Sequence, residues 1–541
     1  MEKQFKVYGY RWFLLAVFMF LNIVIQIQWL SHAMVARPAT IFFESRGVEF
    51  TSFYNIDTLA ILYMLVYLVV CLPASFIIDR FNLRIGVGIG AVLSAVGALL
   101  KGCFPTSFSV IFFGQVLLSI GQPFILNAAT TLVVRWFPMK ERGTAVGLAS
   151  LAQYLGIILA ALVTPMVVGA SGEGMERVQF IYGVITAVAC LLSLLTMKNA
   201  PALPPDASAT VERFSFFKGM GHMFKNRDMV LVIFLFLIGL GIFNAISSMA
   251  DAINAYLGIE DSDGLVAALM LVGGVIGAVI LPILSDKMRK RKVFVVVCMF
   301  GMLVGVFGLT FSKYLNPYTY EWEITQKPEG SALELTDPNS GIQMISPDAD
   351  GLYAFDVKVT KGGHIKEDKT VYLYAGETDP GTVVGNGVIL SSRNAEAAGA
   401  LQYTFSPSSV VNGKRYATKV YIESPKTDDT VVSLIYALAL LSSFVLGFFV
   451  MSAGPIGFQY AAEVTFPTPE SSSQGILLLA GQITGLVFTQ LMSMNQNSYL
   501  GLMMTVYAVL SIVAFVTVLF LRESPMIVTE EDKIRNAEKE A

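Results

Sequence analysis

Residues 75–84 read Ser75-Phe-Ile-Ile-Asp79-Arg80-Phe-Asn-Leu-Arg84, and residues 282–291 read Pro282-Ile-Leu-Ser-Asp286-Lys287-Met-Arg-Lys-Arg291. In both, an acid closes an apolar run and basic residues follow at once. Outward from either copy the chain alternates between long apolar segments and short polar turns. A membrane-crossing helix needs about 20 mostly apolar residues. Twelve segments qualify, near 12–35, 56–78, 84–103, 107–135, 143–168, 177–197, 229–256, 264–285, 292–312, 430–458, 471–492 and 500–521. The two acid-to-basic turns then follow the second and the eighth spans, equivalent places in two sets of six. This predicts a chain built from two related six-helix halves, with a binding site between them.

Composition supports the same class. The 541 residues are 55% hydrophobic and 14% charged, with a mean hydropathy of +0.64, whereas a soluble chain carries about 25% charged residues. Lys and Arg number 37 against 40 Asp and Glu, a net charge of −3, so there is no basic excess to hold a nucleic acid. Cys71, Cys103, Cys190 and Cys298 all fall in apolar runs, without the paired spacing of a zinc site or a disulfide framework. The first apolar stretch is too long for a signal-peptide core and is expected to be retained as a span. Basic residues gather in alternate loops: Lys3, Lys6 and Arg11; Arg80 and Arg84; Arg135, Lys140 and Arg142; Lys218, Lys225 and Arg227; Lys287 to Lys292; Arg522, Lys533 and Arg535. By the positive-inside rule those loops and both termini are cytoplasmic. The lack of disulfide pairing and organelle signals suits a prokaryotic cytoplasmic membrane.

The expected organisation is an N-terminal six-helix bundle over 1–197, a linker over 198–228, helices 7–9 over 229–312, an insert over 313–429, helices 10–12 over 430–522 and a tail over 523–541. In the linker, Phe214, Phe216, Phe217, Met220 and Phe224 mix with Lys218 and Lys225, which predicts an amphipathic helix on the inner membrane surface. The insert lies outside, between the ninth and tenth spans. Apolar and polar residues alternate over 352–359, 370–375, 401–405 and 416–423, with Gly-Gly and Asn-Gly turns between, so a compact β domain is expected.

The acid-to-basic turns resemble the loop signature of the major facilitator superfamily, although Ser75 and Pro282 stand where that signature has glycine. A carboxylate there can pair with a basic residue or a helix end in one conformation and release it in another. Asp79, Arg80, Arg84, Asp286, Lys287 and Glu463 are therefore the candidate gating residues. A closer resemblance covers nearly all the helical part. Pro73-Ala74, Leu83-Arg84, Gly114-Gln115, Gln122, Phe124-Ile-Leu126 and Trp136-Phe-Pro-Met-Lys140-Glu141 in the first half are similar to the choline and heme transporter family named for the feline leukaemia virus subgroup C receptor. So are Ala461-Ala-Glu463-Val-Thr-Phe-Pro467-Thr-Pro-Glu470, Gly475 and Gln482-Ile-Thr-Gly485-Leu-Val-Phe-Thr489 in the second half. The insert has no counterpart in that resemblance.

The first span carries Gln26-Ile-Gln28-Trp29-Leu-Ser-His32, strongly polar for a helix in lipid. Trp29 and His32 are three apart and would share one helical face. Composition alone favours a place for Trp29 in the outer aromatic belt; the resemblance places it on the family's choline-site tryptophan, whose ring face would attract a quaternary ammonium. The family's partner aromatic in the seventh span falls at Phe243-Asn244. Asp251 near the end of that span could balance a cation or carry a proton. Gln482 fits the family's glutamine in the eleventh span, and Gln153-Tyr154 lie near the one in the fifth. Such polar groups also hydrogen-bond between helices without touching a substrate. Heme would need an axial ligand, for which His32 is the one intramembrane histidine.

No metal-ligand cluster, nucleophile elbow or phosphate-cradling loop is present; Gly86-Val-Gly-Ile-Gly90 lies inside a span and lacks the strand such a loop needs. The expectation is an all-α polytopic membrane protein with the twelve-helix major facilitator fold, two pseudo-symmetric six-helix bundles and an extracytoplasmic β-rich insert. It would be neither an enzyme nor dependent on a cofactor, and would carry a small organic solute across the lipid bilayer by alternating access. Choline or a related amine leads; heme, another metabolite or a drug is the alternative, and ion or proton coupling stays open. From a different class, the chain could be a surface receptor whose insert binds a partner.

Overall fold

The computed structural model describes residues 5–524 except 52–53, 169–171, 207–208, 210–212, 260–263, 336–337, 346–348, 350, 425–428 and 498; between 376 and 419 it describes five two-residue strands. Twelve helical segments are long and apolar enough to cross a membrane. In the first half these are α1 (Tyr10–Leu30), α3 (Ile56–Arg80), α4 (Leu83–Cys103), α5 and α6 (Phe108–Leu126 and Ala128–Trp136, one span), α7 (Arg142–Val167) and α8 (Met175–Thr196). A short α2 (Ala36–Glu44) follows α1. The second half has α10 (Arg227–Ser248), α12 (Leu265–Met288), α13 (Arg291–Phe311), α14 (Asp429–Val464), α15 (Glu470–Asn497) and α16 (Leu500–Leu519). Between the halves lies α9 (Phe216–Lys225), and α11 (Ala250–Leu257) continues α10 after a break.

The halves pack by the same scheme. In the first, α1 meets α7, α5 meets α3 and α4, and α4 meets α8; in the second, α10 meets α15, α14 meets α12 and α13, and α13 meets α16. The seam repeats it too, α3 against α15 and α7 against α12. Small residues make this close approach possible in a medium where apolar burial drives little association. A Cβ on Gly97 would come within 2.5 Å of the Gly114 carbonyl oxygen, and one on Gly114 within 2.7 Å of the Gly97 carbonyl oxygen, so α4 and α5 touch backbone to backbone. Gly273 and Gly277 do the same for α12 on Phe444 and Phe448 of α14, while Gly481 and Gly485 of α15 make room for the side chains of Leu240 and Asn244 of α10.

The end of the bundle carrying the basic loops is called inner here. There α9 buries Gly219 and Met223 and leaves Phe217 and Phe224 exposed.

The first and seventh spans break off before the ends read from the sequence. The first ends at Leu30 rather than continuing to 35: residues 31–32 turn, Ala33–Val35 form one 3-10 turn and α2 begins. His32 therefore falls in the turn beyond the helix that carries Trp29. The seventh breaks at Met249, so its last turns belong to α11.

The insert starts with β1 (Tyr318–Gln326), β2 (Ile342–Ile345), β3 (Gly351–Lys361) and β4 (His364–Ala375). Five two-residue strands follow, β5 (Val383–Val384), β6 (Gly387–Val388), β7 (Tyr403–Thr404), β8 (Val410–Val411) and β9 (Lys414–Arg415), and then β10 (Val420–Glu423). Antiparallel sheets β1-β3-β4 and β2-β10-β7 share one core of Tyr320, Trp322, Tyr353, Phe355, Ile345 and Ile422. The alternation over 352–359 and 370–375 falls in β3 and β4; of 401–405 and 416–423, the residues outside β7 and β10 lie outside the described ones. The insert sits at the outer end of the second half, where Lys313 stands 3.5 Å over the Tyr256 ring and Gly258 faces Gly341.

Candidate binding seam and inner gate

The hydrogen bonds joining the two halves cluster at their inner ends, and the repeated acids stand at the centre. Asp286, at the end of α12, accepts from the backbone N–H of Gly143 at 3.1 Å and of Thr144 at 2.6 Å, and from the Thr144 hydroxyl at 2.9 Å. These are unpaired donors of the first turn of α7, where a helix presents its positive pole. A Cβ on residue 143 would lie 2.5 Å from Asp286 Oδ1, so glycine is needed there. Arg291 donates to the same carboxylate at 2.6 Å and to Glu463 at 3.3 Å, and Gln459 donates to Glu463 at 2.9 Å.

Asp79 does the equivalent from the first half. It accepts from the hydroxyls of Ser471 and Ser472 in the first turn of α15. Ser75 donates to the Ser471 carbonyl at 3.2 Å, Cys71 to that of Gly475 at 3.2 Å, and Gln474 to that of Leu126 at 2.8 Å. In each case the acid of one half holds a helix start of the other. Arg80, Arg84 and Lys287 are exposed and take no part in these bonds. The basic partner in the second half is Arg291, the fourth basic residue of its run, which the sequence does not single out. Arg142, wholly buried, meets Asp206 of the linker at 3.0 Å.

Above this cluster a pocket, part of it open, lies in the seam. Ser150, Gln153 and Tyr154 of α7 face Phe236 and Phe243 of α10 and Phe458 of α14 across it. Phe236 and Phe458 approach to 5.3 Å between ring centres, and Gly457 leaves room for the Phe236 ring. The polar groups lining the pocket are neutral, with no carboxylate among its lining residues. At its flank, α10 and α15 carry Asn244 and Gln482, whose Nδ2 and Oε1 are buried without a hydrogen-bond partner among the described residues.

Trp29 is half-buried at the outer end of α1. Its ring stacks on Tyr63 of α3, 6.0 Å between centres at 26°, and its Nε1 donates to the Ala60 carbonyl at 2.9 Å. Sequence reading missed Tyr63, Phe236 and Phe458, since tyrosine or phenylalanine in an apolar run carries no signal until its neighbours are known.

Gln28 and His32 do not line the seam and leave the candidate site. Both are wholly buried inside the first half, Gln28 donating to Thr186 of α8 at 3.1 Å and His32 Nδ1 lying 3.4 Å from the Ser31 hydroxyl. One step along a helix turns about 100°, which takes Gln28 off the face of Trp29. His32, so enclosed, is not placed to ligate heme iron. Asp251 falls in α11; its side chain lies outside the described residues. Among the described residues no three His, Cys, Asp or Glu gather as a metal site.

A family model described as Major Facilitator Superfamily matches residues 8–322, more than half of the chain. Solute carrier family 49 member A3 of Danio rerio is 31% identical over 306 residues, 55% of this chain and 63% of that protein. Choline/ethanolamine transporter FLVCR2 of Homo sapiens is 29% identical over 58% of this chain and 61% of its own, and choline/ethanolamine transporter flvcr2a of Danio rerio 26% identical over 90% and 80%. The chain thus spans less than two thirds of the first curated relatives it matches. These relatives are animal proteins, which lends the prokaryotic membrane no support. Among solved structures, the proton:xylose symporter XylE superposes with a TM-score of 0.59 at 13% identity, covering 95% of this chain and 96% of that one. The fucose:proton symporter FucP of E. coli gives 0.55 at 13%, covering 94% and 98%. At such identity the likeness is one of fold. The matched family and folds are transporters, not enzymes.

Proposed function

Since the chain belongs to the major facilitator superfamily, we propose that it carries choline or a closely related amine across the membrane, by rocking its two halves about the seam pocket. The observation that carries this reading is the pocket wall: four aromatic rings, Tyr154, Phe236, Phe243 and Phe458, with the Gln153 amide and no carboxylate. A quaternary ammonium donates no hydrogen bonds and has a diffuse charge, so ring faces suit it better than an acid would; each such contact contributes about 0.5–2 kcal/mol. Asn244 and Gln482 supply amide dipoles for the hydroxyl end of such a solute. The Trp29–Tyr63 stack lies on the outer approach. The relatives named choline/ethanolamine transporters point to the same solute class.

In this reading the inner gate is closed in the structure, and both termini lie on the cytoplasmic side, where the basic loops gather. Opening inward requires Asp79 and Asp286 to leave the helix starts they hold while the pocket changes its side of access.

Thermal unfolding of the purified protein tests binding directly. A solute that binds the folded state at about 100 times its Kd adds about 2.7 kcal/mol of stability, so choline is expected to raise Tm saturably by several degrees, with ethanolamine acting alike. No shift with either, beside a shift with heme or an unrelated metabolite, overturns the choice of solute.

A further inference from the structure

Lys101 is wholly buried in the last turn of α4, inside the first half. Its ammonium makes no ion pair among the described residues. It donates instead to the Gln28 carbonyl at 3.3 Å and to Gln115 Oε1 at 2.7 Å. The Gln115 amide passes the link on, donating to the Trp29 carbonyl at 3.3 Å and the Leu59 carbonyl at 3.0 Å. Gln28 and Trp29 belong to the last turn of α1, whose final carbonyls have no helical partner once the chain turns at Ser31. A cation suits that end of a helix because the peptide dipoles place negative charge there. The pair also fits sterically: Gly114 leaves room for the lysine stem, since a Cβ there would come within 2.9 Å of Lys101 Cγ.

We propose that Lys101 is a positioning residue for Trp29. Its ammonium and the Gln115 amide end the first span one residue after Trp29, tie its backbone to α3, and so hold the indole against Tyr63 and the Ala60 carbonyl. The charge of Lys101 is directed at the helix end and not at the solute. This makes the early end of α1 a consequence of residues on α4 and α5.

The transport arm of the test rests on the amine reading; the hydrogen-exchange arm does not. Full-length protein in nanodiscs is compared as wild type, Lys101→Met, Lys101→Arg and Gln115→Leu. Losing a charge-assisted bond at the helix end is expected to speed exchange of the amides over 31–35 by about tenfold in Lys101→Met, with Gln115→Leu moving the same way and Lys101→Arg staying within about twofold. For choline uptake, KM is expected to rise about fivefold in Lys101→Met with kcat nearly unchanged, and to return with Lys101→Arg. The sign decides between two roles: a lysine that merely repelled a cationic solute would give a lower KM on removal. A lower KM, or unchanged exchange over 31–35, overturns the proposal. Should Lys101→Met fail to fold, Gln115→Leu carries the same two readouts. Changed exchange without any choline transport in the wild type upholds the clamp and sinks the amine reading.

Discussion

Trp29→Ala is expected to raise the KM for choline uptake between about 2-fold and 30-fold, the range that corresponds to a cation–π contact of about 0.5–2 kcal/mol. The half-buried indole is stacked on Tyr63, a ring that is itself buried; in the amine reading the indole's other face takes the ligand. Alanine removes both faces; Trp29→Phe keeps a smaller ring but loses the bond to the Ala60 carbonyl and should fall between. The effect belongs in KM, because a contact made equally in the bound and moving states changes affinity and not turnover. Initial-rate uptake over a range of choline concentrations checks it, and an unchanged KM in a folded Trp29→Ala protein would place the ring in the outer aromatic belt.

Asp286→Ala has the second large effect, on the balance between inner-closed and inner-open forms. It removes the acceptor for two backbone N–H groups of α7 and one arm of the Arg291 pair, all in the inner seam. Breaking a buried ion pair by deleting one partner costs about 3–5 kcal/mol. Part of this is lost within the second half, through Arg291, and part across the seam. The cross-seam part is present only while the gate is shut, so its loss shifts the population toward opening. Cys71 is a built-in reporter, buried between α3 and α15 with its thiol against the Gly475 carbonyl. In a Cys103→Ser, Cys190→Ser, Cys298→Ser background, maleimide labelling of Cys71 is expected to speed by about tenfold or more in Asp286→Ala. Unchanged labelling would mean that the carboxylate is structural and not part of the gate.

The helical frame was legible because lipid imposes length and composition on each span separately. The doubled acid-to-basic turn was legible for the same reason, since both copies are local. Their donor partners were not: Gly143 and Thr144, or Ser471 and Ser472, are ordinary residues until the other half is laid beside them. The first span shows the limit best. Its apolar run continues past Leu30, and in the clamp proposed above Lys101 and Gln115, on other helices, end it there; a helix carried on to 35 puts His32 on the face of Trp29. In the insert, β1 alternates Tyr320 and Trp322 inward with Glu321 and Glu323 outward, a pattern as clear as that of β3 but close behind a membrane span.

Uptake of labelled choline into proteoliposomes holding the wild-type protein, with and without an imposed proton gradient, tests the central claim most directly. Saturable uptake that unlabelled ethanolamine competes away is the predicted result, and its response to the gradient shows whether protons drive it. No protein-dependent uptake under either condition, from a protein whose Tm choline does not shift, would contradict the amine assignment.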